Sequence, residues 1–167
     1  MNFTPQAFSG GNVFIDGIGC IGILKSFEPP KLDYDTIEAT ASIGKYEKVL
    51  PSLKPLSAKL VVGDINAITI AALSTLIPKI IYVKQNMTSV GITQKDTQIV
   101  ATMGGVVKVG ELPNYEMIKE IEHSFEIAVY SFVYEVNKVS LIAYDIENST
   151  YMVNGIDQFA SIRKNIM

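Results

Sequence analysis

The chain contains 167 residues, of which 48% are hydrophobic, and it carries a formal net charge of -3. This length and apolar content are typical of one folded domain, while the lack of a basic excess argues against a protein that neutralises nucleic-acid phosphates. The single cysteine, Cys20, excludes a disulfide framework, and we interpret its side chain as a small buried hydrophobe.

The chain begins with a polar arm and a predicted hairpin. Phe3–Gly11 lacks the basic and apolar regions of a signal peptide, so we expect a soluble cytoplasmic product whose arm is poorly ordered in a free monomer. Asp16-Gly17 is a strong signal for a two-residue turn between two strands, the second of which would cover Ile18–Phe27. Pro29-Pro30 would end that strand, because proline has no amide hydrogen to donate to a sheet.

A long segment, Lys31–Lys54, combines charges of both signs with apolar residues and has weak periodicity. We predict a loop or an extended hairpin, and segments of this length are often functional in compact domains. A solvated loop would leave its apolar residues in water, so we favour an interaction segment that a partner covers. The residues that would carry this contact are Asp33, Tyr34, Asp35, Glu38, Lys45, Tyr46, Glu47, Lys48, Val49, Leu50 and Leu53.

The next segment is predicted to contain a strand and then a helix. Leu56–Val62 alternates between two faces and indicates a half-buried strand. A helix is predicted over Ile65–Ile77, because apolar residues recur at helical spacing before Pro78. This helix is the best candidate for an element that plugs a sheet. Its predicted inward residues are Ile65, Ile68, Ala72 and Leu76, with Leu73 and Ile77 at the sides of the stripe.

Further strands are predicted in the middle of the chain. They cover Lys79–Lys84 and Thr97–Val109, with a polar turn at Met87–Asp96 between them and a bulge at Gly104-Gly105. Ile118–Tyr134 is the longest alternating stretch. One of its faces would contain Ile121, His123, Phe125, Ile127 and Val129.

The last third is predicted to form a hairpin, a short strand and a helix. A tight turn at Asn137-Lys138 would return the chain along Val139–Ile146, with Tyr134 near Leu141 and Phe132 near Ala143. Tyr151–Val153 is a short strand, and Asn154-Gly155 is a break before a helix over Ile156–Ile166. The inward residues of that helix would be Ile156, Phe159, Ile162 and Ile166.

The sequence therefore predicts a mainly β (α+β) fold of about eight strands and two helices. We expect an antiparallel, barrel-like or sandwich-like architecture with one flanking helix and one short C-terminal helix. Long antiparallel hairpins with inserted helices are typical of such folds.

Few residues suggest chemistry. His123, the only histidine, lies in an alternating strand, where a core role is favoured over catalysis or metal binding. Gly104-Gly105 is followed by a strand and not by the helix that a phosphate loop requires. Asp33, Asp35 and Glu38 lack the spacing of a calcium loop and are interpreted as a solvated face. The sequence predicts no enzyme, no cofactor and no metal site.

The chain resembles the major tail tube proteins of contractile-tailed bacteriophages, the myovirus family that also supplies the cores of R-type tailocins. Four segments carry this resemblance in order. The first is the hairpin with its proline-marked exit at Asn12–Leu32, and the second is the charged segment Asp33–Lys54, which leads into the strand Leu56–Val62. The third is the strand pair at Ile118–Ile146, and the fourth is the closing strand and helix at Tyr151–Ile166.

The resemblance implies a structural role in a tail. Six subunits are expected to form a ring, and rings are expected to stack into a hollow tube that serves as a conduit and a membrane-puncturing shaft. Expected partners are further copies of the chain and the sheath, tape measure, baseplate and tail terminator proteins. DNA would be transiting cargo only, with no specific nucleic-acid or membrane binding. The protein would belong to the virion tail or tailocin particle, after assembly in the host cytoplasm.

Two site hypotheses accompany this resemblance. Residues 1–167 would form one tail tube domain, and the segment at about residues 31–54 would dock on the next ring. Glu122 and Glu126 are possible lumen-facing residues, since an acidic lumen would repel DNA phosphates.

Two alternatives stay open at this stage. A type VI-like secretion tube that carries protein effectors would share the fold. A small β-barrel enzyme or ligand binder would instead be a monomer with a polar-lined cavity.

Overall fold

The computed structural model describes residues 4–20, 23–73 and 77–167, with the side chain of residue 20 left undescribed. Twelve strands and two short helices lie within these residues. The strands are β1 (Gln6–Ile15), β2 (Ile18–Cys20), β3 (Leu24–Glu28), β4 (Tyr34–Ala41), β5 (Gly44–Leu53), β6 (Leu56–Val62), β7 (Lys79–Ser89), β8 (Lys95–Glu111), β9 (His123–Val136), β10 (Val139–Asp145), β11 (Thr150–Val153) and β12 (Ile156–Asp157), and the helices are α1 (Ala67–Ala71) and α2 (Ala160–Ile166). The predicted mainly β, antiparallel fold is confirmed.

Ten strands form one antiparallel sheet, in which β12, β11, β10, β9, β8, β7, β1 and β2 follow one another. The long strand β9 is shared, because its first half pairs with β6 and its second half with β10. Strand β3 pairs with β6 and also approaches β1, where the Leu24 side chain lies 3.1 Å from the position of a Cβ on Gly11. The path β1–β7–β8–β9–β6–β3 therefore returns to β1 and forms a barrel-like layer. Strands β4 and β5 form a separate hairpin.

The core fills the inside of this barrel-like layer with alternate residues from its strands. Phe125, Leu60 and Met103 are among its largest fully buried side chains, and burial of such a side chain contributes about 1.5–3 kcal/mol. The predicted inward faces are confirmed for Leu56–Val62 and for the stretch from His123 to Val129. The predicted bulge at Gly104-Gly105 is also confirmed, in the pairing of β8 with β9.

Two-residue turns with positive φ at both residues join three of the hairpins. Asp16-Gly17 (49° and 82°) joins β1 to β2, and Asn137-Lys138 (50° and 66°) joins β9 to β10, as predicted. Asn154-Gly155 (50° and 77°) is a third such turn. The predicted helix from Ile156 is therefore wrong at its start, because the chain first forms β12 and α2 begins only at Ala160.

The prediction of a poorly ordered N-terminal arm is wrong. From Gln6 onward the arm is strand β1, paired with β7 as far as Ser89. Strand pairing uses backbone groups, so a polar segment can join a sheet when its side chains also find partners. Here Ser9 and Thr88 are joined by a hydrogen bond of 2.7 Å, and the Thr88 hydroxyl donates to Asp96 at 2.6 Å. The predicted polar turn at Met87–Asp96 is correspondingly shorter.

The predicted second strand, Ile18–Phe27, is divided between two neighbours. Strand β2 pairs with β1, whereas β3 pairs with β6 on another side of the barrel-like layer. Residues 21 and 22 lie outside the described residues. Strand β3 ends at Glu28, immediately before Pro29.

The predicted helix over Ile65–Ile77 is much shorter in the structure. Asn66 begins α1, and its side-chain oxygen accepts hydrogen bonds from the amides of Ile68 and Thr69. Ile65, predicted to face inward, is 43% exposed, and Ile77, predicted at the side of the stripe, is 55% exposed. The predicted residue Leu76 lies outside the described residues. The part of the stripe that packs against the core consists of Ile68, Ala72 and Leu73.

Three further expectations are corrected. Ile121 lies before β9 and is 46% exposed, so it does not share the buried face of that strand. Ile156 and Ile166 are 66% and 69% exposed, and of the predicted inward residues of the last helix only Phe159 packs against the core.

The pairing of β9 with β10 differs from the predicted register by one residue. Tyr134 pairs with Ile142, and Phe132 pairs with Tyr144, where Leu141 and Ala143 were expected. The register shifts between Ser140 and Ile142. One extra residue in a strand moves every following side chain to the opposite face.

Candidate assembly interface

The hairpin β4–β5 forms a sheet of its own, and neither strand joins the larger sheet. Its strands pair from Tyr34↔Leu53 to Ala41↔Gly44, and the turn residue Ile43 is 99% exposed. An isolated two-stranded hairpin is marginally stable in water. Its shape alone therefore indicates a segment that another surface covers.

The root of the hairpin is fixed to the body of the subunit. The Tyr34 hydroxyl donates a hydrogen bond of 3.0 Å to the hydroxyl of Tyr151, which is only 2% exposed. Burial raises the pKa of Tyr151, so the phenol stays protonated at neutral pH. Leu53 packs against the core, and Lys54 forms an ion pair of 3.0 Å with Asp33.

The two faces of the hairpin differ in chemistry. Directly paired residues share a face and successive residues alternate. The charged face consists of Thr36, Glu38, Thr40, Lys45, Glu47 and Val49. The apolar face consists of Ile37, Ala39, Ala41, Tyr46 and Lys48.

Charges on the charged face are partly offset within the hairpin. Glu38 lies directly opposite Glu47, an arrangement that destabilises a strand pair. Lys45 forms an ion pair of 2.6 Å with Glu38. This pair is largely exposed, so we expect it to contribute no more than about 1 kcal/mol.

The apolar face is open to solvent in a single subunit. Ile37 is 48% exposed and Tyr46 is 51% exposed, and neither belongs to the core or to the partly buried residues packed against it. A row of apolar side chains on a projecting hairpin is typical of a surface that a partner buries.

The predicted contact residues fall into two groups. The residues at the root of the hairpin are Asp33, Tyr34, Asp35 and Leu53. There Asp35 accepts a hydrogen bond of 2.8 Å from Ser52. Leu50 is half-buried beyond the root. The residues along the hairpin are Glu38, Lys45, Tyr46, Glu47, Lys48 and Val49.

Sequence reasoning missed the apolar residues of β4 and the tip. Ile37, Ala39 and Ala41 alternate with polar residues, which is the pattern of a strand with one apolar face. The exposed tip residue Ile43 follows Ser42 in the turn. That alternation could have identified the apolar face of β4. The face continues in β5 at Tyr46, because Ala41 pairs with Gly44 and Ala39 pairs with Tyr46.

The two predicted lumen-facing residues have different surroundings. Glu126 lies on the outward side of β9, where it forms an ion pair of 2.7 Å with Lys108 and accepts a hydrogen bond of 3.0 Å from Ser57. These contacts hold the pKa of Glu126 below its usual range. Glu122 is exposed and lies immediately before β9.

His123 is fully buried, as predicted. Its ring lies 4.3 Å from the Phe125 ring, and neither ring nitrogen has a hydrogen-bond partner among the described residues. Burial lowers the pKa of His123, so the ring is neutral at pH 7.

The described residues contain no group of three or more acidic, histidine or cysteine side chains that could hold a metal ion. The predicted burial of the Cys20 side chain lies outside what the structure describes.

One solved structure is similar to this chain in its fold. The cryo-EM structure of a sheath/tube terminator in the extended state, from an extracellular contractile injection system (PVC), is similar to this chain with a TM-score of 0.54. Sequence identity is 11%, and the match covers 76% of this chain and 94% of that chain. At this identity the likeness shows the fold alone.

A comparison with curated protein sequences finds no match. No helix among the described residues is long and apolar enough to cross a membrane.

A family comparison identifies the chain over nearly its whole length. The family model described as phage tail tube protein FII matches residues 5–166. This match includes the hairpin β4–β5 as well as the barrel-like layer, and the family is one of structural tail proteins and not a class of enzymes. The chain belongs to the phage tail tube protein FII family.

Proposed function

We propose that this chain is the subunit of a tail tube, in which hexameric rings stack into the hollow inner tube of a contractile phage tail or tailocin. The observation that carries this proposal is the projecting hairpin β4–β5 within a chain that matches the tail tube family from residue 5 to residue 166. The tube would serve as a conduit and as the shaft that punctures the target envelope.

In this proposal residues 1–167 form one tail tube domain, and residues 31–54 reach the next ring. The exposed apolar face, with Ile37 and Tyr46 about half exposed, supports this role. The anchored root supports it as well, because an element that sets the spacing between rings must hold its direction. Tyr34 and Leu53 provide that anchor.

Ring closure has support in the unpaired edge of β1. Strand β2 pairs only with Val13–Ile15 and β3 approaches β1 at Gly11, so the backbone of residues 6–10 has no hydrogen-bonded strand on that side among the described residues. An exposed strand edge is a template for pairing with another chain. In a ring this edge would meet a neighbouring subunit, which removes the risk of uncontrolled aggregation.

The acidic lumen remains part of the proposal. Each subunit carries a net charge of -3, and a negative lumen would let DNA pass without binding. Lys108 offsets much of the charge of Glu126, so Glu122 would contribute more to the field. Normal DNA ejection by a phage with Glu122→Gln and Glu126→Gln would argue against these positions.

The same proposal gives the partners and the location of the chain. As a component of a tail or similar particle, it would contact further copies of itself, the surrounding sheath, the enclosed tape measure protein, the baseplate and the tail terminator. It would be assembled in the host cytoplasm before it becomes part of the particle.

A second candidate function is that of a terminator that caps a tube. The similar solved structure is described as a sheath/tube terminator, which favours this alternative. A terminator would form a single ring at one end of a tube, whereas a tube subunit would polymerise with itself without limit.

Negative-stain electron microscopy of the purified chain at rising concentration tests the proposal. Six-fold rings that stack into long tubes are expected. Single rings that never stack would favour the terminator function. A chain that stays monomeric at high concentration would contradict both.

A further inference from the structure

We infer that the apolar face of the hairpin docks into a groove beside α2 on a second copy of this chain, with Lys48 facing Asp145 of that copy. This inference rests on the proposed function, since it names the receiving surface for the ring-stacking hairpin. Neither the groove nor this ion pair follows from membership of the family.

The groove lies between the C-terminal helix, the end of β10 and the root of the hairpin. Its volume is about 200 Å³. Pockets that bind small molecules usually measure about 300–1,000 Å³, so this groove suits one or two inserted side chains. Its apolar lining consists of Pro51, Tyr144, Ile146, Phe159, Ile162 and Ile166.

The groove contains one unpaired charge. Arg163, a lining residue, forms an ion pair with Asp157 and donates a hydrogen bond of 3.0 Å to the Ser149 carbonyl oxygen. Asp145, a second lining residue, accepts hydrogen bonds of 2.7 Å and 3.1 Å from Asn148, which hold the pKa of Asp145 below its usual range. Among the described residues no cation pairs with Asp145, so Asp145 is the one charged lining residue without an ion pair.

The apolar face of the hairpin has the complementary charge. Lys48 lies on this face directly opposite Ile37, and it has no ion-pair partner among the described residues. Lys45, by contrast, lies on the charged face and is paired with Glu38. One apolar row with one free cation therefore matches an apolar groove with one free carboxylate.

The apolar face of the hairpin does not fill the groove of its own subunit. Pro51 lines the groove and also belongs to the root of the hairpin in β5. In an extended strand Tyr46 lies roughly 17 Å from Pro51. The hairpin therefore carries its apolar face away from the groove of its own subunit.

A contact of this kind repeats from copy to copy. The inserted surface and the receiving surface are different parts of the same chain, so the contact is heterologous. Each copy that inserts its hairpin offers its own groove to the next copy. Repetition along one axis is what the stacking of rings into a tube requires.

A charge exchange tests the inference. Lys48→Glu and Asp145→Lys are each expected to lower the fraction of chain recovered as tubes by about tenfold or more. The double variant Lys48→Glu/Asp145→Lys is expected to restore tubes, because it rebuilds the pair with reversed signs. Lys95→Glu is the matched control, because Lys95 is exposed in β8 outside both the hairpin and the groove, and this variant is expected to keep tubes.

Thermal unfolding of each variant shows whether the subunit is still folded. If Asp145→Lys unfolds because Asn148 loses its acceptor, a cycle of Lys48→Ala and Asp145→Asn replaces it. Non-additive losses of tube yield in that cycle support the pair, and additive losses overturn it.

The experiment distinguishes a failure of the proposed function from a failure of the groove assignment. If the unmodified chain forms no rings or tubes, the proposed function fails. If it forms tubes and both charge variants do so equally well, the hairpin retains its proposed role and the groove assignment is wrong. Failure of a folded double variant to restore tubes would also overturn the assignment.

Discussion

The Tyr34 hydroxyl donates a hydrogen bond to the buried Tyr151 hydroxyl and so joins the root of the hairpin β4–β5 to the aromatic part of the core. The Tyr151 ring also lies 5.5 Å from the Phe159 ring, next to α2. One buried residue thus contacts both the hairpin that we propose to insert and the helix that lines the receiving groove. The root of the hairpin and the groove therefore share one buried neighbour, Tyr151.

Replacing Tyr34 by Phe tests this link. The change removes one hydrogen bond and leaves the buried Tyr151 hydroxyl without a partner, which should lower the free energy of unfolding by about 1–2 kcal/mol. Denaturant unfolding of the monomer measures this loss. Tyr130→Phe is the matched control, because the Tyr130 side chain is 44% exposed and its hydroxyl has no hydrogen bond within the described residues. Equal stability of the two variants would contradict the structural role of the Tyr34–Tyr151 bond.

Because His123 is buried, we expect the free energy of unfolding to depend on pH. Burial lowers the pKa of His123 in the folded state, whereas the unfolded chain has a histidine pKa of about 6.5. Below that pH the unfolded state binds a proton that the folded state excludes. The free energy of unfolding should therefore fall as the pH drops below about 6.5, by at most about 1.4 kcal/mol per pH unit.

The variant His123→Leu isolates this contribution. It should show a flatter stability profile between about pH 6.5 and pH 5. At pH 7 it should be as stable as the parent or more stable by up to about 2 kcal/mol, because the unpartnered ring nitrogens are removed from the core. Urea unfolding at several pH values gives both numbers. Parallel profiles for the parent and the variant would show that His123 does not titrate in this range.

Gly105 allows a test of the bulge between β8 and β9. A Cβ at this position would overlap the carbonyl oxygen of Ala128, which belongs to the paired strand. Gly105→Ala should therefore lower the free energy of unfolding by roughly 1–3 kcal/mol or more. Gly10→Ala is the matched control, since a Cβ at Gly10 meets nothing within 4 Å, and its effect should be small. A mild effect at both positions would contradict the close approach at the bulge.

Strands with one buried face were predictable from the sequence. Leu56–Val62 alternates cleanly because one side fills the core and the other meets solvent or, at Ser57, donates a hydrogen bond to Glu126. The same holds for the stretch from His123 to Val129 in β9. The paired turn residues were also readable, since Asp-Gly and Asn-Lys tolerate the positive φ values that tight hairpins require.

The helix assignments failed because apolar residues on the surface of the subunit resemble core residues in a sequence. Ile65, Ile77 and Ile156 complete convincing helical stripes, yet all three are more than 40% exposed in the single chain. In an assembling protein such residues are expected at contacts with other copies. Periodicity alone does not distinguish a residue buried by folding from one buried by assembly.

The register of β10 could not be predicted for a different reason. One irregular position between Ser140 and Ile142 reverses the faces of the residues that follow. Nothing in the composition of that strand marks the irregularity. For the candidate interface, the structure contains a separate hairpin within the predicted segment 31–54, while its two faces required the pairing of Ile37 with Lys48 to be known.

The central claim is that the hairpin joins one ring to the next. Replacing Thr36–Leu50 by an Asn-Gly turn would remove most of both strands but keep Tyr34 and Leu53 in the root. Because the core lies in the barrel-like layer, the shortened chain should still fold, with a melting temperature close to that of the parent. The full-length variant Glu116→Gln/Lys119→Gln is the control, since it removes an exposed ion pair outside the hairpin and leaves both faces of the hairpin intact.

Negative-stain electron microscopy of these three proteins is the most direct measurement. Tubes are expected for the parent and the control, whereas the shortened chain should fold and stop at single rings or subunits. Tubes of normal length from the shortened chain would contradict the assignment of the hairpin as the ring-stacking element.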